Sequence, residues 1–238
     1  MSSFWSLAAQ IGYEPLTAFW DDFSMAEPFG PPSIKDTAER AWAEWKDDYK
    51  FATELVISPE SFYQINHDQT EKLYSLAIEA ANLKPGEKIL DAYCGIGTIG
   101  LCAAKKAEGV KLTGVELNRA AVSDARENAK ANGMGKARFI AGDATKFMIE
   151  EAAKKSAFDV VFLDPPRSGT TPEFIAACEK LSPSRIVYVS CDPTTLARDL
   201  KEFKKHGYKA GYAVPVDMFP LTEHVENVVL LNHLDSGI

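Results

Sequence analysis

Cys191 lies where the apolar run Arg185-Ile186-Val187-Tyr188-Val189 gives out into Ser190-Cys191-Asp192-Pro193, the start of a Pro-led helical stretch. A thiol at a helix N-terminus meets unpaired backbone N–H groups and the positive end of the helix dipole, and both favour the nucleophilic thiolate. The competing reading is a small buried cysteine that merely closes a strand. Acids occupy comparable strand ends: Glu116 after Gly114-Val115, Asp143 after Gly142, and Asp164 after Val160-Val161-Phe162-Leu163, where it opens Asp164-Pro165-Pro166-Arg167-Ser168-Gly169. Glu226 sits at the head of another apolar run, a place where an acid often simply faces solvent. Behind Leu90-Asp91-Ala92 comes Tyr93-Cys94-Gly95-Ile96-Gly97-Thr98, a Gly-x-Gly turn of the kind that lets backbone approach a ligand at the carboxyl end of a strand. An acid about 20 residues on, at Glu116, can hold both hydroxyls of a ribose, and Asp143 is well placed for an adenine amino group. The dinucleotide pattern G-x-G-x-x-G is not met, because Gly100 falls one residue early.

These residues need a frame that brings strand ends together. Amphipathic helical patterns cover Gln69–Ala81, Thr98–Lys106, Arg119–Ala131, Ala144–Lys155, Pro172–Lys180 and Thr195–His206. They alternate with strand patterns at Lys88–Ala92, Lys111–Val115, Ala137–Ala141, Val160–Leu163 and Arg185–Ser190. Such alternation predicts an α/β fold with a mostly parallel, Rossmann-like sheet and helices on both faces. Tyr208–Val214 and Val225–Leu231 follow with no helix between them, which predicts an antiparallel C-terminal edge.

Composition narrows the class. The 238 residues are 46% hydrophobic, enough for one sizeable core, and no run approaches the roughly 18 apolar residues of a membrane span. The first residues lack the basic start of a secretory signal, so a cytoplasmic location is expected. Cys94, Cys102, Cys178 and Cys191 form no C-x-x-C pair and have no histidines at ligand spacing, which argues against disulfides and a metal site. Of the net charge of −8, residues 1–56 hold 10 acids against 4 bases, or −6, leaving −2 for residues 57–238. Residues 1–56 therefore read as a separate acidic, aromatic-containing segment. Within it Thr37–Tyr49 predicts a helix whose Trp42, Trp45 and Tyr49 form a packing face.

The short Gly-x-Gly turn followed by two strand-end acids resembles the class I S-adenosyl-L-methionine (SAM) methyltransferases. Methyltransferases of exocyclic amines usually carry an aromatic where Arg167 stands, and RNA cytosine-C5 methyltransferases a cysteine within the Asp164–Gly169 stretch, which has none. Five blocks in order resemble the catalytic domain of the RNA uracil-C5 methyltransferases that act on ribosomal and transfer RNA. They are Ser58-Pro59 with Phe62-Tyr63-Gln64-Ile65-Asn66; Asp91 to Gly97; Asp164 to Gly169; Ser190-Cys191-Asp192-Pro193 with Thr195-Leu196-Ala197-Arg198-Asp199; and Asp217-Met218-Phe219-Pro220 with His224-Val225-Glu226. The resemblance covers about Ile57 to Leu231. It implies Cys191 as the nucleophile, Glu226 as the base that removes the C5 proton, and SAM as the cofactor. Gln64, Tyr93, Gly95, Gly97, Thr98, Glu116, Asp143 and Asp164 would hold it. Thr98 stands where relatives often have Asn, and Asp192 where Asn is commoner.

The resemblance implies an RNA partner, with ribosomal RNA placed ahead of transfer RNA. Full-length relatives carry N-terminal RNA-binding parts, whereas here the catalytic stretch follows an unrelated acidic segment. A fusion or rearrangement that kept the catalytic domain accounts for this, with a protein partner supplying RNA affinity. The alternative is a SAM-binding remnant that acts through residues 1–56 as an interaction protein.

Overall fold

The computed structural model describes Leu55, residues 66–219, residue 222 and residues 224–234. Gln64, the block from Ser58 to Ile65 and the helix expected over Thr37–Tyr49 lie outside the described residues, as does all of the 1–56 segment except Leu55. The described elements run α1 (His67–Ala81), β1 (Lys88–Ala92), α2 (Thr98–Ala104), β2 (Lys111–Glu116), α3 (Arg119–Ala131), β3 (Arg138–Ala141) and α4 (Ala144–Ala153). They continue with β4 (Val160–Leu163), α5 (Pro172–Leu181), β5 (Arg185–Ser190), α6 (Pro193–Lys205), β6 (Tyr208–Val216) and β7 (Glu226–His233).

Local chemistry explains most boundaries. Asn66, Asn118, Asp143, Thr171 and Asp192 each accept backbone N–H groups of the helix they precede, a cap that contributes ~1 kcal/mol. Pro172 and Pro193 open α5 and α6, where a missing N–H costs nothing. At the other ends, Asn82 and Ser182 turn the chain left-handed and stop α1 and α5.

The seven strands form one sheet in the order β3-β2-β1-β4-β5-β7-β6. The first five are parallel, and β7 lies antiparallel to both β5 and β6. Every residue of β4 and β5 is buried, as expected of central parallel strands covered on both faces. The antiparallel finish predicted from the sequence is present, with β7 inserted between β5 and β6. Composition accounts for that choice: Val228, Val229 and Leu231 of β7 are fully buried, whereas β6 exposes Lys209 and carries Pro215, which has no N–H for a second neighbour. The insertion has a consequence for chemistry. The β5–β7 ladder ends at the pair Ser190↔Asn227, so one further step sets Glu226 alongside Cys191.

Candidate active site

The carboxyl ends of β1, β2, β4 and β5 and the amino end of antiparallel β7 share one edge of the sheet. Between β1 and α2 the backbone turns left-handed three times, at Tyr93 (φ 63°), Gly95 (φ 53°) and Gly97 (φ 85°). The two glycines serve different ends. A Cβ on Gly95 would meet nothing within 4 Å, leaving its backbone open to a ligand, whereas one on Gly97 would come 2.9 Å from the Phe139 ring. Gly97 therefore packs α2 against β3, and Thr98 is the half-buried first residue of that helix.

Glu116, half-buried at the end of β2, is pinned by two backbone donors: the Gly95 N–H to Oε2 at 3.2 Å and the Asn118 N–H to Oε1 at 2.7 Å. Its carboxylate thus links the β1 turn to the start of α3. Asp143 is exposed and caps α4 by accepting the Lys146 N–H at 2.8 Å. Tyr93 points its ring toward Phe174, 6.1 Å between centroids, with its hydroxyl 3.4 Å from Thr170 Oγ1, and burial pushes its phenol upward. Beneath the turn, the Asp91 carboxylate accepts the Gly100 N–H at 2.8 Å. Burial, with Glu116 adding to it, raises Asp91 from 3.8 to about 7. A Cβ at position 100 would fall 2.7 Å from that carboxylate, which explains the glycine.

A second cluster gathers at β4, β5 and β7. Asp164 is hemmed in by protein although part of its surface opens outward, and its carboxyl rises to about 8 through burial and then through Glu226 and Asp91. Glu226, 6% exposed, rises to about 7 through burial, and the Arg167 guanidinium opposes that rise. Cys191 is half-buried. Its thiol is pushed up by burial and by the Glu226 and Asp164 charges, with Arg167 pulling the other way. The structure thus brings Cys191, Glu226, Asp164 and Arg167 within electrostatic reach of one another.

One expectation is corrected here. The helix N-terminus does not present unpaired N–H groups to the thiol, because the Asp192 carboxylate takes those of Thr194 and Thr195 at 2.8 and 3.0 Å. Half-buried and with two acids nearby, Cys191 is pushed above the ordinary thiol range rather than below it. Sequence reasoning also passed over Asp91 and Arg167, whose charges the structure brings to this edge of the sheet. An acid inside the otherwise apolar Ile89–Ala92 run was a readable signal for Asp91. Arg167 was read only as a missing aromatic. Leu117, 71% exposed directly after Glu116, is a third residue that was passed over.

An open α/β sheet with acids at the ends of β1, β2 and β4 is the frame of the SAM-dependent methyltransferases. A methyltransferase from Thiobacillus denitrificans, solved with S-adenosyl-L-homocysteine, shares that fold at TM-score 0.53 and 18% identity, over 72% of this chain and 94% of the other. The family is set by closer matches. Residues 48–234 match the model described as tRNA (uracil-5-)-methyltransferase, and the chain belongs to that family. An uncharacterized RNA methyltransferase of Lactobacillus johnsonii is 50% identical over 180 residues, 76% of this chain and 40% of the relative. The Pyrococcus abyssi tRNA (uracil-54, C5)-methyltransferase, in complex with S-adenosyl-L-homocysteine, superposes with a TM-score of 0.63 at 36% identity. That match covers 76% of this chain and 42% of the other. The chain thus spans about two fifths of the length of these relatives.

Proposed function

We propose that the chain binds SAM and methylates C5 of a uridine in RNA, with Cys191 as nucleophile and Glu226 as the base. The observation that carries this reading is the meeting of Cys191, Glu226 and Asp164 at one sheet edge beside the Glu116-anchored turn. The residues suit the cofactor on charge. Asp91, Asp164 and Glu226 are carboxyls held above their ordinary range, and a cationic ligand would relieve them. Glu116 offers an acceptor for ribose hydroxyls, and the exposed Leu117 beside it offers apolar surface to a base. When bound, SAM supplies an electrophilic methyl group on a positively charged sulfur.

The chain's own residues then divide the work. The Cys191 sulfur forms a bond to C6 of the uracil, and the C5–C6 π electrons move to make C5 an enolate-like carbon. Once C5 carries the methyl group, Glu226 takes the C5 proton, the C6–sulfur bond breaks, and the C5=C6 double bond returns. A carboxyl at about 7 is divided between acid and base near neutrality, which suits that proton transfer. The uridine must leave its stack to reach the sulfur, at a cost of a few kcal/mol that loops and single strands reduce.

The names of the family and of the Pyrococcus relative favour transfer RNA over the ribosomal preference read from the sequence. RNA affinity supplied by a partner remains part of the proposal, because the catalytic stretch carries net −2. The test is RNA containing 5-fluorouridine, in which fluorine cannot leave as a proton. With SAM present the wild type should form a covalent adduct, and Cys191→Ala should form none while keeping its affinity for SAM. An adduct that survives Cys191→Ala overturns the assignment of the nucleophile, and no adduct with any RNA overturns the activity.

A further inference from the structure

We propose that Asp199 is a positioning residue of this site: it ties the turn carrying Arg167 to the helix that follows Cys191, and so holds the Arg167 charge beside the sulfur. Asp199 is 2% exposed, and both carboxylate oxygens are engaged. Oδ2 accepts the Tyr188 hydroxyl at 2.7 Å and the Thr170 N–H at 2.8 Å, while Oδ1 accepts Arg198 Nε at 2.8 Å. Arg198 extends the same tie by donating from Nη2 to the carbonyls of Ser168 at 2.8 Å and Thr170 at 3.3 Å. Thr195 Oγ1 donates to the Arg167 carbonyl at 3.0 Å. The backbone at 167, 168 and 170 is therefore bonded to side chains of α6, whose first turn begins two residues after Cys191.

Gly169 shows how close the turn lies to this anchor. Its φ is +74°, and a Cβ there would come 2.6 Å from Arg198 Nη2 and closer still to the Asp199 carboxylate. A buried, charged anchor of this kind is costly unless every partner is present, so removing one member releases the rest. The Arg167 side chain is exposed, so the backbone of its turn sets the region its guanidinium can reach, and from the present turn its charge acts on Cys191 and Glu226. Among the described residues, the charges acting on the Cys191 sulfur are Glu226 from β7, Asp164 from the end of β4 and Arg167 from the turn; the two acids disfavour the thiolate and Arg167 favours it. Displacing the turn removes the one favourable charge among them.

The functional meaning rests on the proposed role of Cys191, but the test does not need RNA. In the full chain, the alkylation rate of Cys191 by iodoacetamide is followed from neutral to alkaline pH, with Cys191→Ala as the blank for the buried Cys94, Cys102 and Cys178. Asp199→Asn should slow alkylation near neutrality ~3–10-fold by moving the thiol titration upward, as Arg167→Gln should, and the pair together should be no slower than Arg167→Gln alone. The sign is diagnostic. Losing the Asp199 charge by direct action would ease thiolate formation, and a merely structural role would expose all four cysteines without moving the titration. A profile that superposes on wild type, a faster reaction, or effects that add in full overturns the proposal. If Asp199→Asn does not fold, Thr195→Val, which removes the bond to the Arg167 carbonyl, must slow alkylation in the same way, and failure to do so overturns it equally. Loss of the 5-fluorouridine adduct in wild type would sink the proposed function and leave this result standing.

Discussion

Replacing Asp164 by Asn tests whether the sheet edge stores the electrostatic cost described above. Asp164 rises from 3.8 to about 8, beside Asp91 and Glu226 at about 7. A carboxyl raised in the folded chain holds its proton after the unfolded chain has released it. Its stabilising contribution is fully present below the ordinary carboxylate range and is lost as pH rises through the folded value. For one isolated group the loss is ~1.4 kcal/mol per pH unit, or at most ~4 kcal/mol between about pH 5 and about pH 8. One feature reduces what the substitution returns. Part of the Asp164 surface is open to solvent, which screens its charge, so we expect ~1–2 kcal/mol. Urea denaturation of the ligand-free chain at about pH 5 and about pH 8 measures it. Wild type should lose stability toward alkaline pH, and Asp164→Asn should lose ~1–2 kcal/mol less over the same interval. Parallel curves for the two proteins would refute the claim that the Asp164 carboxyl is held protonated by its surroundings.

Glu116→Ala should weaken binding of S-adenosyl-L-homocysteine by ~1.5–3 kcal/mol, since it removes both the proposed acceptor for the ligand's ribose and the anchor of the Gly95 and Asn118 N–H groups; unchanged affinity by calorimetry would exclude its role. Gly97→Ala should cost ~2–3 kcal/mol, because strain at φ 85° adds to the contact with Phe139, whereas Gly95→Ala should cost only ~1 kcal/mol. Equal denaturation midpoints for the two variants would contradict the separate roles given to these glycines. RNA affinity should be weak, fall steeply with salt, and improve when the net −6 of residues 1–56 is deleted from a variant that still folds. Tight, salt-insensitive binding that needs residues 1–56 would instead make that segment an RNA-recognition element.

Much of the frame is legible without coordinates because its signals are local. Lys88–Ala92, Val160–Leu163, Arg185–Ser190 and Arg119–Ala131 match their expected bounds, since an apolar run, a cap and a breaker lie within a few residues of each other. Elsewhere the differences are small: α1 starts two residues earlier, at His67, because Asn66 caps it, and α6 starts at Pro193 because Asp192 does. The strand-end positions of Glu116, Asp143 and Asp164 follow from the same local signals.

What the chain order could not express is which distant ends meet and what charge each then feels. Residue order alone would pair β6 with β5 as readily as β7. Only the competition for a slot buried on both faces favours the more apolar β7, and only that insertion carries Glu226 to Cys191. The thiol illustrates the same divide. Its place before a Pro-led helix, a local fact, predicts activation by the dipole, but burial in the closed fold, with the arrival of Glu226 and Asp164 from other strands, pushes the thiol the other way, and Asp192 takes the N–H groups that would have faced it. Hydrophobic periodicity and capping act over one turn or one strand and survive in the sequence. Electrostatic environment is a sum over groups that become neighbours only when the sheet closes, so the tertiary structure alone decides it.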